Sequence, residues 1–181
     1  MLKADATIIV DKDITLKRFS HDVDKIKYET ILVNRNHLLP WLPWVDDLYF
    51  PTQTYLFTEK QIKEFDSGHI FSYNIFFKNI FAGSIAIYNI SERDHNCELG
   101  YWLDHSHTGK GIMTRTVKIA TNYAMQKLNM HRVAIKVAPE NNASVSVAER
   151  LGFEREALLR DGQYLVNRFY DAAIYVKIKD N

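Results

Sequence analysis

Cysteine is nearly missing from this chain: Cys97 stands alone in 181 residues. A single thiol excludes a disulfide framework and a cysteine zinc cluster, both of which need several sulfurs. The 4 prolines and 7 glycines gather into no linker or low-complexity segment, and no internal repeat occurs, so no domain boundary is placed. Residues 1–181 are read as one domain, in line with roughly 150 residues per domain. No apolar run approaches the ~18 residues of a membrane span. Neither sign of charge dominates: 23 basic and 22 acidic side chains leave a formal net charge of +1. That balance excludes a general nucleic-acid binder, which needs a basic face. The N-terminal run MLKADATIIVDKD carries acidic residues and no cleavable signal pattern, so a soluble, cytoplasmic chain is expected.

What is present describes an ordinary globular domain. With 46% hydrophobic and 25% charged residues, a chain of this size hides about 70% of its extended surface on folding. Strands are expected at 7–10 and 14–19. Ser20 suits an N-cap for a helix presenting Val23, Ile26, Ile31 and Leu32. Two prolines keep 38–44 from being one regular helix. Thr52 opens a second helix through Tyr55, Leu56, Ile62 and Phe65, closed by Gly68. Strands follow at 70–77 and 80–90, then at 97–103, leading into a polar loop. Met113, Val117, Ala120, Ala124 and Leu128 form one buried stripe on a helix from 111 to 128. A strand at 133–137 and a helix at 141–150 with Gly152 as its stop come next. Two last strands, 153–160 and 168–178, flank an Asp161-Gly162 turn. The result is an α/β fold: a mixed, mostly antiparallel central sheet flanked by helices.

Chemistry concentrates in two stretches. In Thr108-Gly109-Lys110-Gly111-Ile112-Met113-Thr114, glycines let a ligand approach the backbone, and the first helical N–H groups lack intrahelical partners. Such a helix start suits an anion, a pyrophosphate in particular; a plain tight turn is the alternative. The Gly-Lys-Ser/Thr spacing of a P-loop is absent. Thirty residues on, Asn141-Asn142-Ala143-Ser144 reads either as a polar helix cap or as the second half of a cofactor cradle.

Together, GYWLDHSHTGKGIMT, IKVAPENNAS and AERLGF resemble the GCN5-related N-acetyltransferases (GNAT). They are most similar to ribosomal-protein N-terminal acetyltransferases of the RimJ/RimL type, a branch that the WLPW and LLRDGQYLVNRFYD stretches also fit. The resemblance implies an acetyl-CoA-dependent transferase acting on a primary amine, without metal. It places the pyrophosphate on the backbone of Thr108, Gly109, Lys110, Gly111, Ile112, Met113 and Thr114. Two of three marked signature positions are changed, to Thr108 and Met113, so the site is left to backbone amides. It puts Leu103 beside the pantetheine arm and Asn141 at the pantetheine-binding asparagine. The tyrosine that many members use as general acid is replaced by Ala148; in this branch Ser144 supplies the proton instead, a capping hydroxyl being the competing reading.

Glu98, on the strand entering the cofactor loop, is the carboxylate expected as base, with Asp161 and Tyr164 behind it. Strand alternation turns Glu98 away from the cleft unless a bulge intervenes. A demanding base is not required for an α-amine. With a pKa near 7.8 it is about 14% neutral at pH 7, against about 0.04% for a lysine, a gap of roughly 350-fold or about 3.5 kcal/mol. The expected acceptor is therefore a protein N-terminus; a small-molecule amine such as an antibiotic or polyamine, and a non-catalytic acetyl-CoA sensor, are the alternatives.

Three further features have bland readings. Asp104, His105 and His107 sit too close in sequence to converge readily on zinc. Cys97 pairs with no evident base and suits core packing. Trp41, Trp44, Tyr49 and Phe50 suit core or a homodimer interface, and the resemblance implies that this segment borders the acceptor pocket, with Asn34 and Arg35 nearby as candidate contacts to an acidic acceptor.

Overall fold

A computed structural model describes residues 2–45 and 49–179. The strands are β1 (Thr7–Ile9), β2 (Ile14–Arg18), β3 (Phe71–Phe77), β4 (Ile80–Ser91), β5 (Asn96–Leu103), β6 (Arg132–Val137), β7 (Glu154–Leu165) and β8 (Arg168–Ile178). The helices are α1 (Asp24–Val33), α2 (Arg35–Leu38), α3 (Pro51–Asp66), α4 (Ile112–Gln126) and α5 (Asn142–Arg150). One eight-stranded sheet runs in the order β1-β2-β3-β4-β5-β6-β8-β7. Every neighbouring pair is antiparallel except β5 with β6. No helix among the described residues is long and apolar enough to cross a membrane.

The parallel pair matters most for function. Only Asn96–Glu98 pair with Arg132–Ala134; past that point the two strands part. Backbone groups of 99–103 on that side lose their ladder partner, and a gap opens in mid-sheet. α4 and α5 lie on the face reached by Leu99, Tyr101 and Leu103, within the main core. Met113, Val117, Ala120, Ala124 and Leu128 are all buried there, as the helical stripe predicts. On the other face Trp102 packs against a smaller core of Ile31, Leu38, Val45 and Tyr49.

Three sequence expectations are corrected. In α1 the buried residues are Lys27 and Ile31, while Ile26 and Leu32 are exposed. In α3 the sheet-facing side is polar: Thr54, Thr58 and Gln61 are buried with Phe65, and Tyr55 and Leu56 face outward. The reason lies in the neighbouring elements: Ser72 of β3 donates to Gln61, and Thr58 donates to Asp24 of α1, so these buried polar groups are satisfied. Third, the last hairpin does not turn at Asp161-Gly162. β7 continues to Leu165 with a register shift between Leu159 and Gln163, and the chain reverses at Val166-Asn167, both at positive φ. The Asp-Gly pair makes a bulge instead of a turn.

Lys27 has a measurable consequence. It is 3% exposed, its ammonium lies 3.4 Å from the Phe19 ring centroid, and it donates to Thr58 Oγ1 at 3.3 Å. Burial lowers its pKa to about 8, against the opposing pull of Asp24. The folded protein thus releases this proton at a lower pH than the unfolded chain, which keeps it to about 10.4. Between those limits the unfolded state binds more protons, so this group makes stability rise with pH. Urea melts from pH 7 to 10 are expected to show wild type gaining up to about 3 kcal/mol relative to Lys27→Met over that range. A constant difference between the two proteins refutes the shift.

Candidate active site

The turn before α4 is built by two left-handed glycines, Gly109 at φ +72 and Gly111 at φ +68. Gly111 is the N-cap of α4, and no side chain caps it. The N–H groups of Ile112, Met113 and Thr114 are the first of that helix and point beyond its N-terminal end, where the positive end of the helix dipole adds to them. A Cβ on Gly111 would meet nothing within 4 Å, so backbone conformation, not space, demands glycine there. The approach is braced from behind. Thr108 Oγ1 donates to the His105 carbonyl at 2.7 Å, and Lys110 Nζ donates to the Ser106 carbonyl at 2.8 Å. Asp104 caps the preceding turn, accepting from Ser106 N at 3.2 Å, Ser106 Oγ at 2.7 Å and His107 Nδ1 at 2.9 Å. That is the structural work of the Asp-His-x-His stretch.

A cavity of about 730 Å³ opens at this helix end and runs along β5 to α5. Leu103, Thr108, Gly109, Gly111, Ile112, Met113, Thr114, Asn141 and Ser144 all line it, together with Arg115 and Arg150. Of the residues singled out in the turn, Lys110 does not line it; its ammonium is held by Ser106. The Met113 side chain is buried in the core, so this changed signature position contributes a backbone amide and packing. Arg115 is paired with Asp11. An elongated thioester cofactor bearing a diphosphate fits these features: free amides at one end, an apolar middle and polar groups at the far end.

At that far end Asn141 is the N-cap of α5, its Oδ1 accepting from Ser144 N at 3.2 Å. The cap is therefore the asparagine, and the Ser144 hydroxyl is released for other use. Ser144 Oγ donates to the Tyr101 hydroxyl at 3.0 Å. Tyr101 went unnoticed in the sequence. Its place in the GYWLDHSHTGKGIMT stretch and the alternation Leu99, Tyr101, Leu103 were the available signals; the alternation puts its ring on the face of Leu103, which lines the same cavity. Burial pushes the phenol up to about 12, with the Ser144 hydrogen bond opposing the rise.

A second cavity of about 200 Å³ lies in the gap between β5 and β6, lined by Leu99, Val137, Lys136, Gln163, Leu165 and Tyr88 among others. It shares Trp41, Leu42, Tyr101, Asn141 and Ser144 with the larger one.

Glu98 lines neither cavity. β5 is regular at this point, and the extra residue sits on β4 between Tyr88 and Ser91, so alternation carries Glu98 to the face of Gly100 and Trp102. Its carboxylate accepts from Asn89 Nδ2 at 3.1 Å, and together with burial it raises the pKa of Tyr88, whose ring covers Gly100. Asn34 is buried and committed: it donates to Thr30 O and accepts from His105 N at 2.7 Å, so it is no acceptor ligand. The aromatic cluster divides. Tyr49 is core, Trp41 lines both cavities, and Trp44 and Phe50 are exposed. Cys97 is buried with its thiol pushed up to about 12, mainly by burial, and is chemically quiet.

The sequence profile of the acetyltransferase (GNAT) domain matches residues 13–154. The chain belongs to the GNAT acetyltransferase family. It is an N-acetyltransferase with acetyl-CoA as donor. Its relatives include the ribosomal-protein-serine acetyltransferase of Escherichia coli (strain K12), 27% identical over 175 residues, 97% of this chain and 98% of that protein. The [ribosomal protein uS5]-alanine N-acetyltransferase of the same organism is 29% identical over 171 residues, 84% of each. Among solved structures, RimL, a ribosomal L7/L12 α-N-protein acetyltransferase in complex with coenzyme A, superimposes with a TM-score of 0.91 at 26% identity. That match covers 95% of this chain and 97% of RimL. The eight-stranded mixed sheet of this acetyltransferase is thus the family fold, as its motifs imply.

Proposed function

We propose that this acetyltransferase moves the acetyl group from acetyl-CoA onto the α-amine of a protein N-terminus, a ribosomal protein being the foremost acceptor. The observation that carries this reading is the charge of the smaller cavity. Among the described residues no carboxylate lines either cavity, whereas Lys136 lines the smaller one. A polyamine brings further ammonium groups that need anionic partners. A peptide brings one amine and a neutral backbone. The relatives named above, whose acceptors are ribosomal proteins, support the same choice.

In this reading the amides of Ile112, Met113 and Thr114 hold the diphosphate, Leu103 flanks the pantetheine, and the Asn141 side-chain amide meets it with the Nδ2 that its capping bond leaves over. The amine attacks from the smaller cavity as the neutral species, which an α-amine supplies at pH 7 without a strong base. Ser144, at the junction, protonates the departing sulfur. Glu98 acts at most at one remove, through Tyr88, because that phenol and not the carboxylate borders the cavity.

The test compares kcat/KM for short peptides beginning with serine or alanine against spermidine, with mass spectrometry of ribosomal proteins incubated with acetyl-CoA. Peptides are expected to exceed spermidine at least tenfold, with acetyl groups on N-termini. Turnover of spermidine alone, with every N-terminus unmodified, rejects the reading.

A further inference from the structure

Five side chains border both cavities: Trp41, Leu42, Tyr101, Asn141 and Ser144. Among them only Tyr101 and Ser144 carry hydroxyls, and these two are hydrogen-bonded to each other at 3.0 Å. We propose that Tyr101 and Ser144 form a proton relay across the wall between the cavities, carrying the proton lost by the acceptor amine to the departing sulfur. This rests on reading the larger cavity as the thioester site and the smaller as the acceptor site.

The balance is as follows. The amine nitrogen bonds to the thioester carbonyl carbon, and the C–S bond breaks with its electron pair on sulfur. The nitrogen, cationic after attack, gives one proton to the Tyr101 oxygen. The phenol proton passes to Ser144 Oγ, and the Ser144 proton passes to sulfur. One N–H is lost, one S–H is gained, and both hydroxyls are restored.

Geometry supports each link. In the structure Ser144 Oγ is the donor, and the Tyr101 hydroxyl in turn reaches the Ser144 carbonyl at 3.4 Å. Rotation about the two C–O bonds reverses the direction of the 3.0 Å hydrogen bond without moving a heavy atom, because a hydroxyl both donates and accepts. The Ser144 N–H is already satisfied by Asn141, so the serine backbone stays put while its hydroxyl turns. A lone serine donor would be left as an alkoxide. In the relay it is reprotonated in the same event by a phenol, a stronger acid than an alcohol. The relay also accounts for the base: Glu98 sits behind Tyr88 and is not needed at the amine. Tyr101 is then a catalytic residue in its own right, taking the amine proton while Ser144 hands one to sulfur.

Three variants test the pair: Tyr101→Phe, Ser144→Ala, and a protein with a polyfluorinated tyrosine at 101, which keeps the shape and acidifies the phenol. Single-turnover acetyl transfer to a serine-initiated peptide is expected to fall on the order of 10²-fold in Tyr101→Phe, with the Kd for acetyl-CoA unchanged. The double variant is expected to be no slower than the slower single one, since both changes break one relay. The fluorinated protein is expected to keep turnover and to move the alkaline limb of the rate profile downward, in step with the phenol absorbance. A rate within threefold of wild type in Tyr101→Phe, multiplicative losses in the double variant, or an unmoved limb each overturn the relay. The last result would mark a packing role.

A readout without acceptor keeps the question separate from the choice of amine. Removing the Ser144 hydroxyl is expected to raise the fluorophenol pKa, and no change overturns the coupling. If wild type rejects the peptide but turns over spermidine, the acceptor reading fails, and the relay is measured with spermidine.

Discussion

Ser144→Ala is expected to lower the rate of acetyl transfer by about 10²–10⁴-fold, the range for loss of a positioned proton donor. The folded state and the cofactor site are expected to survive it. Ser144 uses its N–H, not its hydroxyl, in the helix start, where it bonds to Asn141 Oδ1, and its neighbours Val147 and Ala148 supply the packing of α5. Binding of acetyl-CoA by calorimetry and thermal unfolding should therefore match wild type. The rate must come from single-turnover experiments, because a slow release of products hides a change in the chemical step. A rate within threefold of wild type removes Ser144 as the proton donor and takes the relay with it.

Gly83→Ala is expected to be the most damaging of single methyl additions to the sheet. Gly83 stands at φ +153 opposite Leu103, and a Cβ there would come within 2.2 Å of the Trp102 carbonyl oxygen and 2.9 Å of Leu103 Cα. Both are backbone atoms, so no side-chain rotation relieves the overlap, and β4 and β5 must move apart. Overpacking plus an unfavourable φ place the cost at about 3 kcal/mol, or roughly 6–12 °C in Tm for a chain of this size. Because Leu103 and Trp102 line the larger cavity, acetyl-CoA affinity should fall in parallel. Gly111→Ala is the control. Its added Cβ meets nothing, so only the left-handed φ +68 is penalised, at about 1 kcal/mol. Chemical denaturation of both proteins decides the matter; equal losses refute the clash.

The legible parts of this chain were those governed by local rules. The α4 stripe could be read because every fourth or third residue from Met113 to Leu128 is apolar and all meet one core. The turn before α4 could be read because Gly109 and Gly111 are the residues that tolerate left-handed backbone before an uncapped helix. What escaped depended on partners distant in sequence. The apolar residues of α1 and α3 suggested the wrong buried faces, because Gln61 and Thr58 of α3 are buried and hydrogen-bonded to Ser72 of β3 and Asp24 of α1. Asp161-Gly162 looked like a hairpin turn, yet pairing of Gln163–Leu165 with Arg168–Tyr170 carried the strand past it. Tyr101 lies inside the GYWLDHSHTGKGIMT stretch without a role of its own there; it became notable once α5 brought Ser144 against it from 43 residues away.

Periodicity and the three short motifs by themselves determined the fold class and the family, since each motif depends on spacing along one segment, and they pointed to the start of α4 as the expected cofactor end. Tertiary structure alone decided which groups meet at the junction. Whether β5 and β6 part after Glu98, which face Glu98 takes, and which hydroxyls meet between two cavities are set by long-range strand pairing. A one-residue change of register would move every side chain to the opposite face.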